Sequence, residues 1–185
     1  MNLSVQPQNA SPRTQPTIDA GRLQLRPLRL QDAELLELYT ADRRVAEGTR
    51  SIPHPLPRGA TRQFIAAALD PLREEDTWAI DGTPHGSATL LGVVSLKALD
   101  RSQSQIGYWV APAFWHSGIA SEAVRALLAA NPHNNRTIFA EVFQDNPVSA
   151  RILTNAGFEY IGDAEAWSVA RDRAVPTWTY LKRMG

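Results

Sequence analysis

The sequence predicts an α/β domain: a mixed, mostly antiparallel central sheet of six to seven strands flanked by about four helices. Three observations carry that expectation. Short apolar segments between Thr77 and Val110 are separated by polar turns, the pattern of neighbouring hairpins. From Gly118 onward the rhythm changes to helix, strand, helix, strand. The 185 residues, 43% of them apolar, suffice for one core, since a domain of about 150 residues hides about 70% of its unfolded surface.

Residues 1–20 are rich in Gln, Pro, Asn and Ser and are expected to form a flexible tail, an arm packed across the domain being the alternative. Residues 21–185 form the single domain. Residues 22–28 alternate as a short strand that ends at Pro27. Asp32 stands as N-cap of a helix over residues 33–40, with Leu35, Leu38 and Tyr39 on one face. Pro53, Pro55 and Pro57 stiffen a loop around His54. A second helix runs from Thr61 to about Leu69 and stops before Pro71.

Strands are expected over residues 77–80, 90–99 and 105–110. Ala120, Ala123, Val124, Leu127 and Leu128 then recur at helical spacing, and Asn131-Pro132 ends that helix. Residues 137–143 read as a strand. Asn146-Pro147 is a strong N-cap and N1 pair for a helix closed by Gly157. Residues 158–161 and 176–182 complete the sheet.

Composition excludes several function classes. Nineteen Lys and Arg balance nineteen Asp and Glu, which argues against nucleic acid as a partner. With no cysteine, disulfides, thiolate metal sites and a cysteine nucleophile are all absent. His54, His85, His116 and His133 have no helical metal spacing, so no metal site is expected. Apolar runs fall far short of the ~20 residues needed to span a bilayer, and the start of the chain is unlike a signal segment. A cytoplasmic protein with no membrane association is the expectation.

The most informative stretch is QIGYWVAPAFWHSGIASEAVR, residues 105–125. A strand enters a short loop, then a glycine, then a helix. Free backbone N–H groups converge there at the positive end of the helix dipole, an arrangement that binds phosphate without many basic side chains. Steric need alone also places glycine in such turns. The loop lacks a Gly-Lys-Ser/Thr ending, so a triphosphate-binding loop is not supported. Residues 141–158, EVFQDNPVSARILTNAGF, are again a strand feeding a capped helix, then Gly-Phe and another strand.

Together these segments resemble the acetyl-CoA-binding half of the GNAT superfamily of N-acetyltransferases, closest to its ribosomal-protein N-terminal acetyltransferase branch (RimJ/RimL-like). The residues are Ile106-Gly107-Tyr108-Trp109, the run from Trp115 to Ala123, the run from Asn146 to Arg151, and Gly157-Phe158. The opening Leu23-Gln24-Leu25-Arg26-Pro27-Leu28 and the loop Pro53-His54-Pro55 fit as well, so the resemblance spans roughly residues 21–183. It implies the GNAT fold and an acetyl-CoA-dependent N-acetyltransferase that releases CoA.

Residue by residue, the resemblance implies that Trp115, His116, Ser117, Gly118, Ile119, Ala120 and Ser121 form the loop and first helical turn around the CoA pyrophosphate. Trp109 and Val110 belong to the strand that pairs with the pantetheine arm. Asn146 and Ser149 resemble positions that reach the pantetheine and thioester, and Arg151 is a candidate for the 3′-phosphate. His116 and Arg151 equally suit solvent, and Trp109 and Trp115 equally suit core packing. Where many relatives place a tyrosine, this chain has Leu153, which leaves thiolate protonation to Ser149 or to water.

The base is open at this stage. Relatives often carry a glutamate one residue before the Ile-Gly-Tyr-Trp strand; here Gln105 stands there and cannot take a proton. Glu141, on the parity of Phe139 and Phe143, is the first substitute, or else a strand carboxylate paired with an arginine. His54 is second, imidazole being a common proton acceptor in catalysis. Glu165 is third, and an ordered-water relay needs none of them. The acceptor is a primary amine, either a protein N-terminus or a small molecule. A non-catalytic acyl-CoA-binding or regulatory module is the alternative function. Exposed strand edges, which make dimers in relatives, allow a homodimer.

Overall fold

One eight-stranded sheet, in the order β1-β2-β3-β4-β5-β6-β8-β7, carries the computed structural model, which describes residues 14–185. The strands are β1 (Ile18–Asp19), β2 (Gln24–Pro27), β3 (Glu75–Asp81), β4 (Gly92–Leu99), β5 (Gln103–Val110), β6 (Thr137–Phe143), β7 (Glu159–Ser168) and β8 (Arg173–Arg183). The helices are α1 (Ala33–Thr40), α2 (Arg43–Gly48), α3 (Ala60–Leu69), α4 (Ile119–Ala130) and α5 (Pro147–Asn155). All pairings are antiparallel except β5 with β6, because α4 is a crossover between them.

Strand alternation sorts the core into two faces. Trp78, Ile80, Val94 and Leu96 meet Ala123, Val124, Leu127 and Leu153 of α4 and α5 on one face. Ala79 and Val93, of opposite parity, meet Leu36 of α1 and Ile65 of α3 on the other. Trp78 is fully buried, and full burial of such a side chain stabilises by about 1.5–3 kcal/mol.

Two elements go beyond the sequence expectation, β1 and α2. The strand lies inside the segment expected to be a flexible tail. Ile18 is buried and pairs with Leu25, Gln15 Nε2 donates to the Thr77 carbonyl at 2.8 Å, and Trp78 Nε1 donates to the Pro16 carbonyl at 2.8 Å. Residues 15–20 are therefore an arm held by polar contacts that hydrophobicity alone does not reveal. The rest of the expected tail, residues 1–13, lies outside the described residues. Helix α2 has only six residues, too few to show a period, and is capped by Asp42, which accepts from Arg44 N–H at 2.9 Å.

Other local signals hold in detail. Asn146 Oδ1 accepts from Ser149 N–H at 3.2 Å and starts α5. Gly157 has φ +87° and closes it, with Phe158 N–H reaching the Leu153 carbonyl at 3.1 Å. Asp32 differs from expectation: it occupies the N-cap position of α1 but its carboxylate makes no cap bond there. Instead it grips Arg26, accepting from Nη1 at 2.9 Å and Nη2 at 2.8 Å. Arg26 Nε donates to Asp81 at 2.7 Å, and all three residues are buried. Among the described residues no helix is long and apolar enough to cross a membrane.

Candidate active site

The parallel pairing of β5 with β6 runs from Gln103↔Thr137 to Ile106↔Ala140 and then stops. Both strands continue, β5 to Val110 and β6 to Phe143. Beyond Ile106 the β5 backbone keeps β4 on one side and has an open edge on the other. A cleft of about 590 Å³ opens at this divergence. Gly107, Tyr108 and Trp109 line one wall, Glu141, Val142 and Phe143 the other, and Asn146, the N-cap of α5, and Ser149 in its first turn close one end. The loop after α2, with Arg50, Ile52, Pro53 and Leu56, and Phe64 of α3 cover it, together with Trp167 and Val169.

Strand β5 leads through Ala111–Ser117 into Gly118, the N-cap of α4, whose φ is +78°. His116 also has positive φ, +60°, so the loop curls tightly. The N–H groups of residues 116–121 have no hydrogen-bond partner among the described residues. Trp115 braces this loop: its Nε1 donates to the Val110 carbonyl at 2.7 Å, and the Arg44 guanidinium lies 5.6 Å from its ring centroid. Ser117 donates to the Phe114 carbonyl, and Arg22 holds the Ser117 carbonyl while pairing with Glu122 at 2.6 Å. His116, Ser117 and Gly118 are exposed, Ile119 is buried, and Ala120 and Ser121 are half-buried. The arrangement is an anion cradle of backbone donors at a helix start.

Trp109 lines the cleft while packing on the second core cluster. Arg151 is exposed on α5. Glu141 lines the cleft and is not free: Arg50 Nη1 donates to Oε2 at 2.9 Å and Thr177 Oγ1 donates to Oε1 at 2.7 Å. Each carboxylate oxygen still has a lone pair for another donor. Neither His54 nor Glu165 is among the residues lining the cleft. His54 is half-buried, with Nδ1 lacking a hydrogen-bond partner, and Glu165 is exposed on β7. Gln105 lines the cleft but supplies an amide, which cannot take a proton from the acceptor.

The sequence reading missed Tyr108 as a site residue. Ser149 Oγ donates to the Tyr108 hydroxyl at 2.9 Å, and that hydroxyl donates to the Ser149 carbonyl at 3.0 Å. Burial pushes the Tyr108 phenol up to about 12, against the lowering effect of Ser149, so it stays a donor at neutral pH. Its signal lay in the chain, one residue past Gly107 on a strand already tied to the site. Arg50 and Thr177 were missed because their partner Glu141 is distant in sequence. Leu153 is fully buried and contributes packing only.

The profile of the Acetyltransferase (GNAT) domain family matches residues 22–159. An uncharacterised N-acetyltransferase of Bacillus subtilis, YoaA, is 28% identical over 156 residues, covering 80% of this chain and 85% of its own. The solved structure of RimL, a ribosomal alpha-N-protein acetyltransferase in complex with coenzyme A, superposes with TM-score 0.76 at 18% identity, covering 91% of this chain and 98% of that one. Spermidine N-acetyltransferase of Vibrio cholerae, with CoA and spermine, superposes with TM-score 0.74 at 15% identity, covering 88% and 96%. At those identities the two structures speak for the fold.

Proposed function

The chain belongs to the GNAT acetyltransferase family, and we propose that it moves an acetyl group from acetyl-CoA directly to a primary amine, either of a small molecule or of a protein N-terminus. One observation carries this most: the donor-lined Gly118 junction and the open edge of β5 lead into a cleft that holds Glu141 and Ser149. The CoA pyrophosphate takes the N–H groups of residues 116–121, and the pantetheine arm lies along Gly107–Val110. The thioester then reaches the end of the cleft closed by Asn146 and Ser149. Arg44, over Trp115, adds positive charge beside the phosphates.

An ammonium group must lose a proton before it can attack. Glu141 takes that proton, directly or through one water. The amine nitrogen bonds to the thioester carbon and gives its second proton to water, the tetrahedral oxyanion collapses, and the C–S bond breaks. The departing thiolate receives a proton from the Ser149 hydroxyl, which turns away from the Tyr108 oxygen it otherwise donates to and regains a proton through solvent. With no cysteine in the chain, transfer has no cysteinyl intermediate. Holding amine and thioester together supplies much of the rate, orientation being worth roughly 7–11 kcal/mol.

Purified protein is expected to release CoA thiol from acetyl-CoA when a suitable amine is present, read with a thiol reagent. CoA binding without thiol release across a broad amine panel would favour the non-catalytic module. Gly118→Val probes the cradle separately. At φ +78° a β-branched residue is strained, and its Cβ would lie 3.4 Å from Arg22 Nη2. Calorimetry is expected to show CoA affinity at least tenfold weaker, beside a stability loss of about 1–2 kcal/mol. Unchanged affinity in the folded variant would remove the cradle assignment.

A further inference from the structure

Four side chains of full charge line the cleft: Arg50, Lys97, Glu75 and Glu141. They balance. A polycationic acceptor calls for surplus carboxylate, and two carboxylates against two cations offer none; Glu141 is paired with Arg50 at 2.9 Å. A lone alkylamine would find Glu141 but would leave the arginine serving no part of it.

We propose that the acceptor is a free α-amino acid with an apolar side chain, an inference that rests on acetyl transfer at this same cleft. Arg50 engages Glu141 through Nη1 alone, and its side chain is 51% exposed, so Nε and Nη2 are available to a carboxylate. Glu141 retains a lone pair on each oxygen for the substrate ammonium. A zwitterion whose two charges are adjacent can span this pair, placing its ammonium on the glutamate and its carboxylate on the arginine. Both ends of the ion pair then serve one substrate.

The surroundings fit the remainder of such a molecule. Ile52, Leu56, Phe64 and Trp167 line the same cleft and offer apolar surface to its side chain. On reaction the nitrogen gains the acetyl carbon and sheds two protons, one to Glu141 and one that passes through water to balance the proton taken up by the thiolate. The product amide carries no ammonium charge, so its hold on Glu141 falls and release follows. A peptide N-terminus has a carbonyl where the zwitterion has a carboxylate, and would offer Arg50 no second anionic partner beside Glu141.

The test compares leucine, leucinamide, 3-methylbutylamine, a Leu-Gly-Gly peptide and spermidine. Thiol release from acetyl-CoA gives kcat/KM, and calorimetry on protein saturated with CoA gives binding without requiring turnover. Leucine is expected to exceed leucinamide, the amine and the peptide at least tenfold in both. Arg50→Gln is expected to collapse the leucine-to-leucinamide ratio to about one, and Arg50→Lys to restore part of it. Equal use of leucinamide or of the peptide, a preference for spermidine, or a ratio that survives Arg50→Gln overturns the proposal. Carboxylate-dependent leucine binding with no thiol release supports the acceptor class and overturns acetyl transfer instead. Absence of both overturns the two together.

Discussion

Glu141→Gln is expected to lower kcat by about 10²–10⁴-fold while CoA affinity stays within a factor of two. The range is what a positioned general base contributes. The substitution is nearly isosteric, and the amide oxygen can still accept from Thr177, the bond now made to Oε1 at 2.7 Å. It removes the ability to take a proton from the ammonium and breaks the charge pairing with Arg50. Glu141 lies on β6, away from the Gly118 junction, so cofactor binding should be indifferent to it. The measurement is kcat at saturating acetyl-CoA beside calorimetric CoA binding. Full kcat in the variant would assign the proton to a water relay.

Arg26→Met is expected to cost about 3–5 kcal/mol of stability, read from the urea midpoint, because it strands two buried carboxylates. Arg26 is 2% exposed, and Asp32 and Asp81 are each 3% exposed. Beyond the carboxylates, its guanidinium donates to the Pro27 carbonyl at 3.2 Å and the Thr89 carbonyl at 2.9 Å, so the pairing is fully satisfied. The same hub gives a pH signature. Burial pushes the Asp81 carboxyl up, but hydrogen bonds from Thr83, Arg26 and Gln24 outweigh it and hold its pKa below the ordinary value. Its contribution to stability is therefore present above the unfolded pKa near 3.9 and is lost as pH falls through the lower folded value. Stability independent of pH between about 5 and 2 would contradict this.

Sequence pattern found what depends on neighbours in the chain. The α4 stripe from Ala120 to Leu128, the Asn146-Pro147 cap and the Gly157 stop are local, and each appears in place. The GNAT architecture was implied by the family resemblance these segments carry, and the structure adds β1. What pattern could not reach depends on distance. Asp32 reads as a cap because the sequence cannot show that Arg26 and Asp81 converge on it. Glu141 was found from strand parity, but its partner Arg50 comes from a loop 91 residues earlier. The proline-framed loop promised His54; folding instead puts Ile52, Pro53 and Leu56 on the cleft wall. Tyr108 was visible as a motif letter, yet its role depends on meeting Ser149 of α5 at the divergence of β5 and β6.

That divergence also bears on solubility. Unpaired strand backbone invites another chain to dock, the route by which sheet proteins aggregate, and proteins usually blunt it at the outer rim with charge, proline or short strands. Here the vacancy lies in the interior of the sheet, between β5 and β6, with Ile106↔Ala140 tied below it and a loop and hairpin folded across the mouth. A neighbouring polypeptide strand would need both flanks and cannot enter sideways. The chain thus keeps a hydrogen-bonding edge in permanent readiness without offering it as a seed for self-association.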